Sequence, residues 1–222
     1  MASLAEDDFV VGDANRLAFG HVRAFPEWPG PWTLIVGPPK SGKSHLARIF
    51  AARSGAIFAG PEMVEALARE GGSAPLVIED ADRAGYSEDS LFHLLNQSMR
   101  AGRPLLITAR DPVAAWPFKT DDLRSRARLG AQFTVAAADD TLLSQMFVKL
   151  FADRQVIVEP RVISYMVTRM ERAPEEVVAL AELADRLALA RGTAITRGIA
   201  AEALAERGVA QLELDFGDAD DE

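Results

Sequence analysis

The sequence predicts an α/β fold, a five-stranded parallel sheet followed by a small helical domain, and two features of the chain predict it. One is Gly37-Pro38-Pro39-Lys40-Ser41-Gly42-Lys43-Ser44, set between the apolar, β-prone run Thr33-Leu34-Ile35-Val36 and the helix-like run Leu46 to Ala52. The other is an alternation of short apolar runs with helical segments as far as Val135, replaced after Ala136-Ala137-Ala138 by helices alone.

Element by element, the acidic start gives way to Phe9-Val10-Val11, an extended piece that turns at Gly12-Asp13 and enters a helix toward Phe25. Pro26-Glu27-Trp28-Pro29-Gly30-Pro31 breaks that helix before the first strand. Such an apolar arm either packs beside a bound base or covers one edge of the core. The pattern G-x-x-x-x-G-K-[ST] that follows is a phosphate loop. Its glycines let successive backbone N–H groups curl around phosphate oxygens, and the helix N-terminus adds partial positive charge. Gly37 to Ser44 are the expected cradle for ADP or ATP, with Lys43 reaching the β- and γ-phosphates and Ser44 ligating Mg²⁺.

Ala56 to Ala59 reads as the second strand, Glu62 to Arg69 as a helix, and Leu76-Val77-Ile78-Glu79-Asp80 as the third strand. A buried parallel strand ending in two acids is a Walker B pattern, which delivers carboxylates to the edge where open α/β sheets bind ligands. Glu79 then belongs to the Mg²⁺ shell and Asp80 orients an attacking water. The order is Glu-Asp rather than the usual Asp-Glu, which keeps metal coordination and predicts weak or no autonomous hydrolysis. Read by itself, the segment is equally a strand ending in solvated acids.

Ser87 caps a helix whose Leu91, Leu94, Leu95 and Met99 share one face. Pro104 to Arg110 is the fourth strand and brings Thr108 to a position where its hydroxyl meets the γ-phosphate or the water. Asp121 to Arg128 is a short helix with arginines at 124, 126 and 128, either a solvated face or a group that stabilises charge on a phosphoryl group held by a neighbouring molecule. Gln132 to Val135 is the fifth strand. Helices then start at Asp139 or Asp140, at Pro160, at Pro174 and at Thr196, the last running to Glu206. The domains are thus 1–137, 138–208 and an acidic tail, 209–222. Within that tail Gln211-Leu212-Glu213-Leu214-Asp215-Phe216 reads as a short extended peptide whose glutamine and apolar residues Leu212, Leu214 and Phe216 fit a partner's groove. Docking on the chain's own core is the other reading.

Composition narrows the function. The chain of 222 residues is 49% hydrophobic and 26% charged, with a formal charge of −9. That charge opposes tight, sequence-independent DNA binding, which needs a basic face, so contact with DNA is expected only through a partner. There is no cysteine, which excludes disulfides, thiolate zinc sites and a cysteine nucleophile; His21, His45 and His93 lack metal-ligand spacing. No apolar run is long enough to span a membrane and the N-terminus lacks signal-peptide character, so a cytoplasmic protein is expected.

The ordered set resembles the ATPase region of DnaA-type bacterial replication initiators, within the AAA+ family, over about Phe9 to Arg207. Its marks are Phe9-Val10-Val11-Gly12 with Asn15 and Ala18, Gly42-Lys43-Ser44-His45-Leu46, Glu79-Asp80-Ala81-Asp82, the strand ending at Thr108, and Leu123-Arg124-Ser125-Arg126. The resemblance implies an AAA+ sheet with a helical lid, a nucleotide contacted by Val10, Val11 and His45 as well as the phosphate loop, and an arginine finger at Arg126. Arg172, before Pro174, is the nearest candidate for the arginine of the lid that senses nucleotide; another alignment puts Glu175 there.

As an ATPase region plus lid, the chain is similar to the DnaA-related regulatory inactivators of the Hda/HdaA type. That resemblance implies bound ADP, a sliding-clamp partner engaged by Gln211 to Phe216, and stimulation of ATP hydrolysis by a DnaA-type initiator, a brake on replication. The group usually carries its clamp-binding peptide at the N-terminus, whereas here it is C-terminal. A homodimer burying both tails is a further expectation. The competing classes are an autonomous P-loop ATPase or kinase, and an adaptor that uses nucleotide to hold its shape while recruiting another replication protein.

Overall fold

The computed structural model describes residues 6–30, 32–116 and 118–217, and from 209 onward the backbone only. It forms two compact units that divide between Ala137 and Ala138.

In the first unit five strands form one parallel sheet: β1 (Trp32–Val36), β2 (Ile57–Phe58), β3 (Leu76–Ile78), β4 (Leu105–Ala109) and β5 (Ala131–Thr134), in the order β2-β3-β4-β1-β5. The insertion of β4 between β1 and β3 matters most for function. It brings the turn after β1, the acids after β3 and the hydroxyl at the end of β4 side by side at the carboxyl edge, where such sheets bind ligands. Register fixes the alignment, with Ile35 opposite Thr108 and Ile78 opposite Ile107. β1, β3 and β4 are buried on both faces, hence their unbroken apolar runs. β2 is shorter than the Ala56–Ala59 expected, its side chains exposed at the sheet's edge.

Five α-helices, among the described residues, surround the sheet. α1 (Arg16–Arg23) and α2 (Lys43–Ser54) pack on one face, where Val22, Phe50, Ile35, Val77 and Leu106 share a core. On the other, Leu34, Leu76, Ile78, Leu105 and Ile107 pack against Val64 of α3 (Pro61–Glu70), Leu94 of α4 (Glu88–Ala101) and Leu123 of α5 (Asp121–Ala127). Strand alternation assigns Val77 and Leu106 to the α2 face, so Glu79 and Thr108, two residues further on, lie on that face too. Ser87 caps α4 by accepting the Ser90 amide, as the sequence predicts.

The second unit is helical. α6 (Asp140–Asp153) packs on α7 (Pro160–Val167) and α8 (Pro174–Arg191), and α9 (Arg197–Gly217) on α7 and α8. Asp139 is the cap of α6, accepting the Leu142 amide at 2.7 Å. The buried Glu176 of α8 takes a two-pronged bond from Arg207 of α9, at 3.1 and 2.6 Å, which also holds the Arg207 guanidinium above its usual pKa.

One expectation is overturned here. The last helix does not stop at Glu206: α9 runs to Gly217, and the backbone of Gln211 to Phe216 is helical rather than extended. The reason is local. A single glycine at 208 costs a helix about 1 kcal/mol, no proline follows, and Ala210-Gln211-Leu212-Glu213-Leu214 are good helix formers. The Gln211, Leu212, Leu214 and Phe216 side chains lie outside the described residues.

Candidate functional site

Gly37 leaves β1 with its amide bonded to the Ala109 carbonyl at 3.2 Å. A Cβ there would lie 2.2 Å from the Val135 carbonyl oxygen and 3.0 Å from Ser41 Oγ, so only glycine fits between the loop and the end of β5. The loop then turns through Lys40 at φ 58° and Gly42 at φ 94°, left-handed conformations that glycine adopts freely and lysine rarely. Pro38, Pro39 and Lys40 form the exposed outer arc. Gly42 caps α2, so the amides of its first turn face the loop's interior.

Lys43, 7% exposed, donates to the Gly37 and Pro38 carbonyls at 2.8 Å each. Burial pushes its ammonium pKa down; Asp80, Asp82 and Glu79 oppose that shift and Arg110 adds to it. A desolvated lysine curled over a loop of amides recruits an anion, because an anion restores the solvation that burial removed. Ser41 Oγ is buried without a hydrogen-bond partner among the described residues. That is a second sign that the loop is shaped for a group it does not itself supply.

Across from the loop, Glu79 has a buried Oε1 with no partner among the described residues. Asp80 sits at φ 47°, and its amide donates to Thr108 Oγ1 at 3.1 Å while the Ala81 amide donates to the Thr108 carbonyl at 2.9 Å. Thr108, buried to 1%, therefore pins the acidic turn to β4 and keeps its own hydroxyl hydrogen to give. Asp82 completes the lock: its Oδ2 accepts the Arg110 and Asp111 amides at 3.1 and 3.0 Å. The oxygens of Ser44, exposed at the start of α2, and of Glu79 are hard donors suited to Mg²⁺. Among the described residues no three His, Cys, Asp or Glu side chains cluster to hold a metal alone. Magnesium in such sites needs only one or two protein oxygens beside phosphates and waters, so the residues present fit the ion.

The N-terminal arm lies against this loop. The ring of Phe9 stacks on Phe19 at 5.0 Å and meets His45 edge-on at 5.0 Å, and a Cβ on Gly42 would touch Phe9 Cε2 at 3.7 Å. Buried Asn15 ties the arm down, accepting the Gly12 amide and donating to the Val10 carbonyl. Val10 is half-buried and Val11 exposed. Val10, Val11, Gly37 to His45, Glu79, Asp80 and Thr108 thus belong to one edge of one unit.

Two predicted residues lie elsewhere. Arg126 leans on the middle of α4, donating to Asn96 Oδ1 at 2.6 Å with its guanidinium 4.8 Å above the Phe92 ring. Both α4 and α5 pack on the face of the sheet opposite α1 and α2, so this corner lies across the sheet from the helix that the phosphate loop opens. Arg172 is in the second unit, exposed and paired with Asp140 at 2.8 Å. Two contributors are not singled out by the sequence. Tyr86 donates to the Ala59 carbonyl at 3.0 Å, its hydroxyl pKa raised by burial and then by the charges of Glu79 and Asp80. Asp82 appears in the sequence only as part of a motif; its two-residue offset from Asp80 was the available signal.

No protein-family model matches the chain, and no curated protein matches it in sequence. Solved structures do match. Domain III of the Thermotoga maritima replication initiation protein DnaA aligns with a TM-score of 0.74 over 91% of this chain and 96% of that one, at 15% identity. The Thermotoga maritima RuvB Holliday junction branch migration motor aligns at 0.69 over 91% and 72%, at 16% identity. Replication initiator DnaA bound to AMPPCP and single-stranded DNA aligns at 0.68 over 81% of this chain and 63% of that one, at 18% identity. The likeness is one of fold: a five-stranded parallel sheet with flanking helices and a helical unit after it. Among the described residues no helix is long and apolar enough to cross a membrane.

Proposed function

We propose that this chain is a nucleotide-bound regulator of replication initiation that acts on ATP held by a DnaA-type initiator. ADP or ATP is cradled by Gly37 to Ser44, with Val10, Val11 and His45 beside the nucleoside. Lys43 exchanges its carbonyl partners for phosphate oxygens, and Ser44 and Glu79 hold Mg²⁺. When bound, that ion neutralises phosphate charge. Asp80 and Thr108 hold the water side of the site, and a carboxylate one methylene shorter than the usual glutamate fits slow or absent turnover by the chain alone.

The observation that carries this reading is the position of Arg126. An arginine on the face of the sheet away from α2, the helix of its own phosphate loop, is held by Asn96 and Phe92 rather than turned to that loop. That arrangement supports a group offered to a second molecule, where an arginine finger contributes about 10³ to 10⁵ in rate. The likeness in fold to a replication initiator supports an initiator as that molecule. Gln211, Leu212, Leu214 and Phe216 tether the chain to the sliding clamp, which raises local concentration to roughly millimolar without new contacts. The helical backbone there requires the peptide to unwind, or to dock as a helix face. Arg172, freed from Asp140, is the lid's contact to nucleotide. DNA is met through the clamp, in the cytoplasm.

The decisive experiment measures hydrolysis of initiator-bound ATP with and without DNA-loaded clamp. Wild type should accelerate it only with clamp present. Arg126→Ala should abolish acceleration while sparing nucleotide and clamp binding, and replacing Gln211, Leu212 and Phe216 together by alanine should abolish clamp capture. Acceleration that survives Arg126→Ala sinks the finger assignment. Steady turnover by the chain alone would instead favour an autonomous ATPase.

A further inference from the structure

Beyond the carboxyl edge of β3, on the face away from α2, a cavity of about 220 Å³ opens between the turn after Asp80, the start of α4 and the segment before α5. It is smaller than the roughly 300 Å³ at which small-molecule pockets begin, so it holds one side chain rather than a metabolite. Tyr86, Trp116, Phe118 and Leu91 line it, together with Asp82 and Glu88.

Asp82 gives it a chemistry. Its side chain is 4% exposed, and all of its partners are on one oxygen: Oδ2 accepts the Arg110 and Asp111 amides and faces Arg83 Nε at 3.5 Å. Oδ1 is buried and accepts nothing from the described residues. A carboxylate oxygen in that state is costly unless a donor completes it. Neighbouring groups cannot do so. Arg83 is drawn outward to Asp111 at 2.8 Å, the Tyr86 hydroxyl is committed to the Ala59 carbonyl, and the Trp116 indole N–H to the Asp111 carbonyl at 2.7 Å. Glu88, whose oxygens face the Lys119 amide and the Thr120 hydroxyl, adds negative potential without a donor.

The missing partner must therefore donate hydrogen bonds, carry positive charge and lie against aromatic rings. A guanidinium meets all three conditions better than an ammonium, because it is planar, weakly hydrated and stacks on ring faces. We infer that this cavity receives an arginine side chain presented by a partner protein, with Asp82 Oδ1 as its acceptor and Tyr86, Trp116 and Phe118 as its walls. The site does not depend on the nucleotide reading. It nonetheless abuts the nucleotide edge, because Asp82 lies two residues beyond Asp80 and Tyr86 feels the charges of both Glu79 and Asp80. A partner docked here is held next to the acidic turn.

The test titrates the ¹⁵N-labelled full chain with N-acetyl-arginine amide, and in parallel with the lysine amide and the uncharged citrulline amide, following the Trp116 indole signal identified by its loss in Trp116→Phe. A saturable shift with arginine is expected, about tenfold weaker with citrulline and intermediate with lysine. Asp82→Asn keeps an acceptor for the Arg110 and Asp111 amides and should erase the preference for arginine over citrulline. Phe118→Leu should weaken arginine binding and leave Asp82 in place. Equal, unsaturated shifts from arginine and citrulline in the wild-type chain would overturn the inference and leave the cavity to a water molecule bonded to Oδ1. That comparison stands even if a variant fails to fold.

Discussion

The two edges of the sheet in the first unit bury polar groups in opposite ways. At the carboxyl edge the buried atoms without partners among the described residues are oxygens, Ser41 Oγ, Glu79 Oε1 and Asp82 Oδ1, and the backbone there adopts left-handed turns at Lys40 and Asp80. At the amino edge and against α4, two of the three among the described residues are guanidinium nitrogens, of Arg103 and Arg126, and each of these side chains uses another of its nitrogens within the fold. Arg103, buried to 1%, clamps the Gly71 and Gly72 carbonyls at 2.8 Å each, and Arg126 holds Asn96. One edge is built with acceptors and a desolvated lysine left over for something that arrives. The other spends its cations on the fold and keeps one at a corner. Strain and unmet hydrogen bonds collect where ligands bind, and here the left-handed turns and the unmet oxygens gather around the phosphate loop and the acidic turn.

The largest effect that would break this contrast belongs to Lys43. Lys43→Ala should lower ADP affinity at least about 100-fold, roughly 2.7 kcal/mol, in calorimetry. The free protein should stay folded, since the residue's partners are two carbonyls that water can reach once the chain is shortened. Near-normal ADP binding by this variant would remove the carboxyl edge from consideration as the nucleotide site.

A matched pair of glycines sharpens the comparison. A Cβ on Gly37 would lie 2.2 Å from the Val135 carbonyl, and one on Gly130, at the other edge, 2.1 Å from the indole nitrogen of buried Trp32. Each alanine substitution overpacks a site that cannot yield and should cost about 1–3 kcal/mol in urea unfolding. Only Gly37→Ala should also weaken ADP binding in the fraction that remains folded. If Gly130→Ala weakens it equally, the two edges are coupled and the contrast is one of stability alone.

Much of this was legible in the sequence because it is written in periodicity and in glycine. The phosphate loop, five strands, the Ser87 cap and the change at Ala137 follow from spacing and from residues whose backbone chemistry is restrictive. Strand order is not so written. That β4 lies between β1 and β3, which puts Thr108 beside Asp80, depends on pairings between residues far apart in the chain. Tyr86 was illegible for the same reason, and Asp82 showed only its place in a motif: an acid and a tyrosine near a loop look solvated until the Arg110 and Asp111 amides and the Ala59 carbonyl are found against them. The tail failed differently. A glycine followed by acidic residues read as the end of a helix, whereas the helix-forming residues between Gly208 and Gly217 outweighed one glycine.

The smallest effect concerns His21, on the α1 face of the sheet. Its ring lies between Trp28 and Phe133, with centroids at 5.0 and 4.4 Å, and Nε2 meets Thr33 Oγ1 at 2.7 Å. Burial lowers its pKa below the ordinary 6.5, so the folded chain favours the neutral ring. Between the lowered value and 6.5 the unfolded chain binds more protons than the folded one, and stability rises with pH across that window. His21 therefore contributes stability that is complete above 6.5 and lost as pH falls through the folded value. Urea midpoints at about pH 5 and about pH 8 should differ more for wild type than for His21→Gln, which keeps a partner for Thr33 but does not titrate. Because Trp28 and Phe133 lie far from the acids after β3, this pH dependence should leave ADP affinity unchanged. Were ADP affinity to follow the same titration, the aromatic cluster under α1 would have to be counted as part of the nucleotide edge.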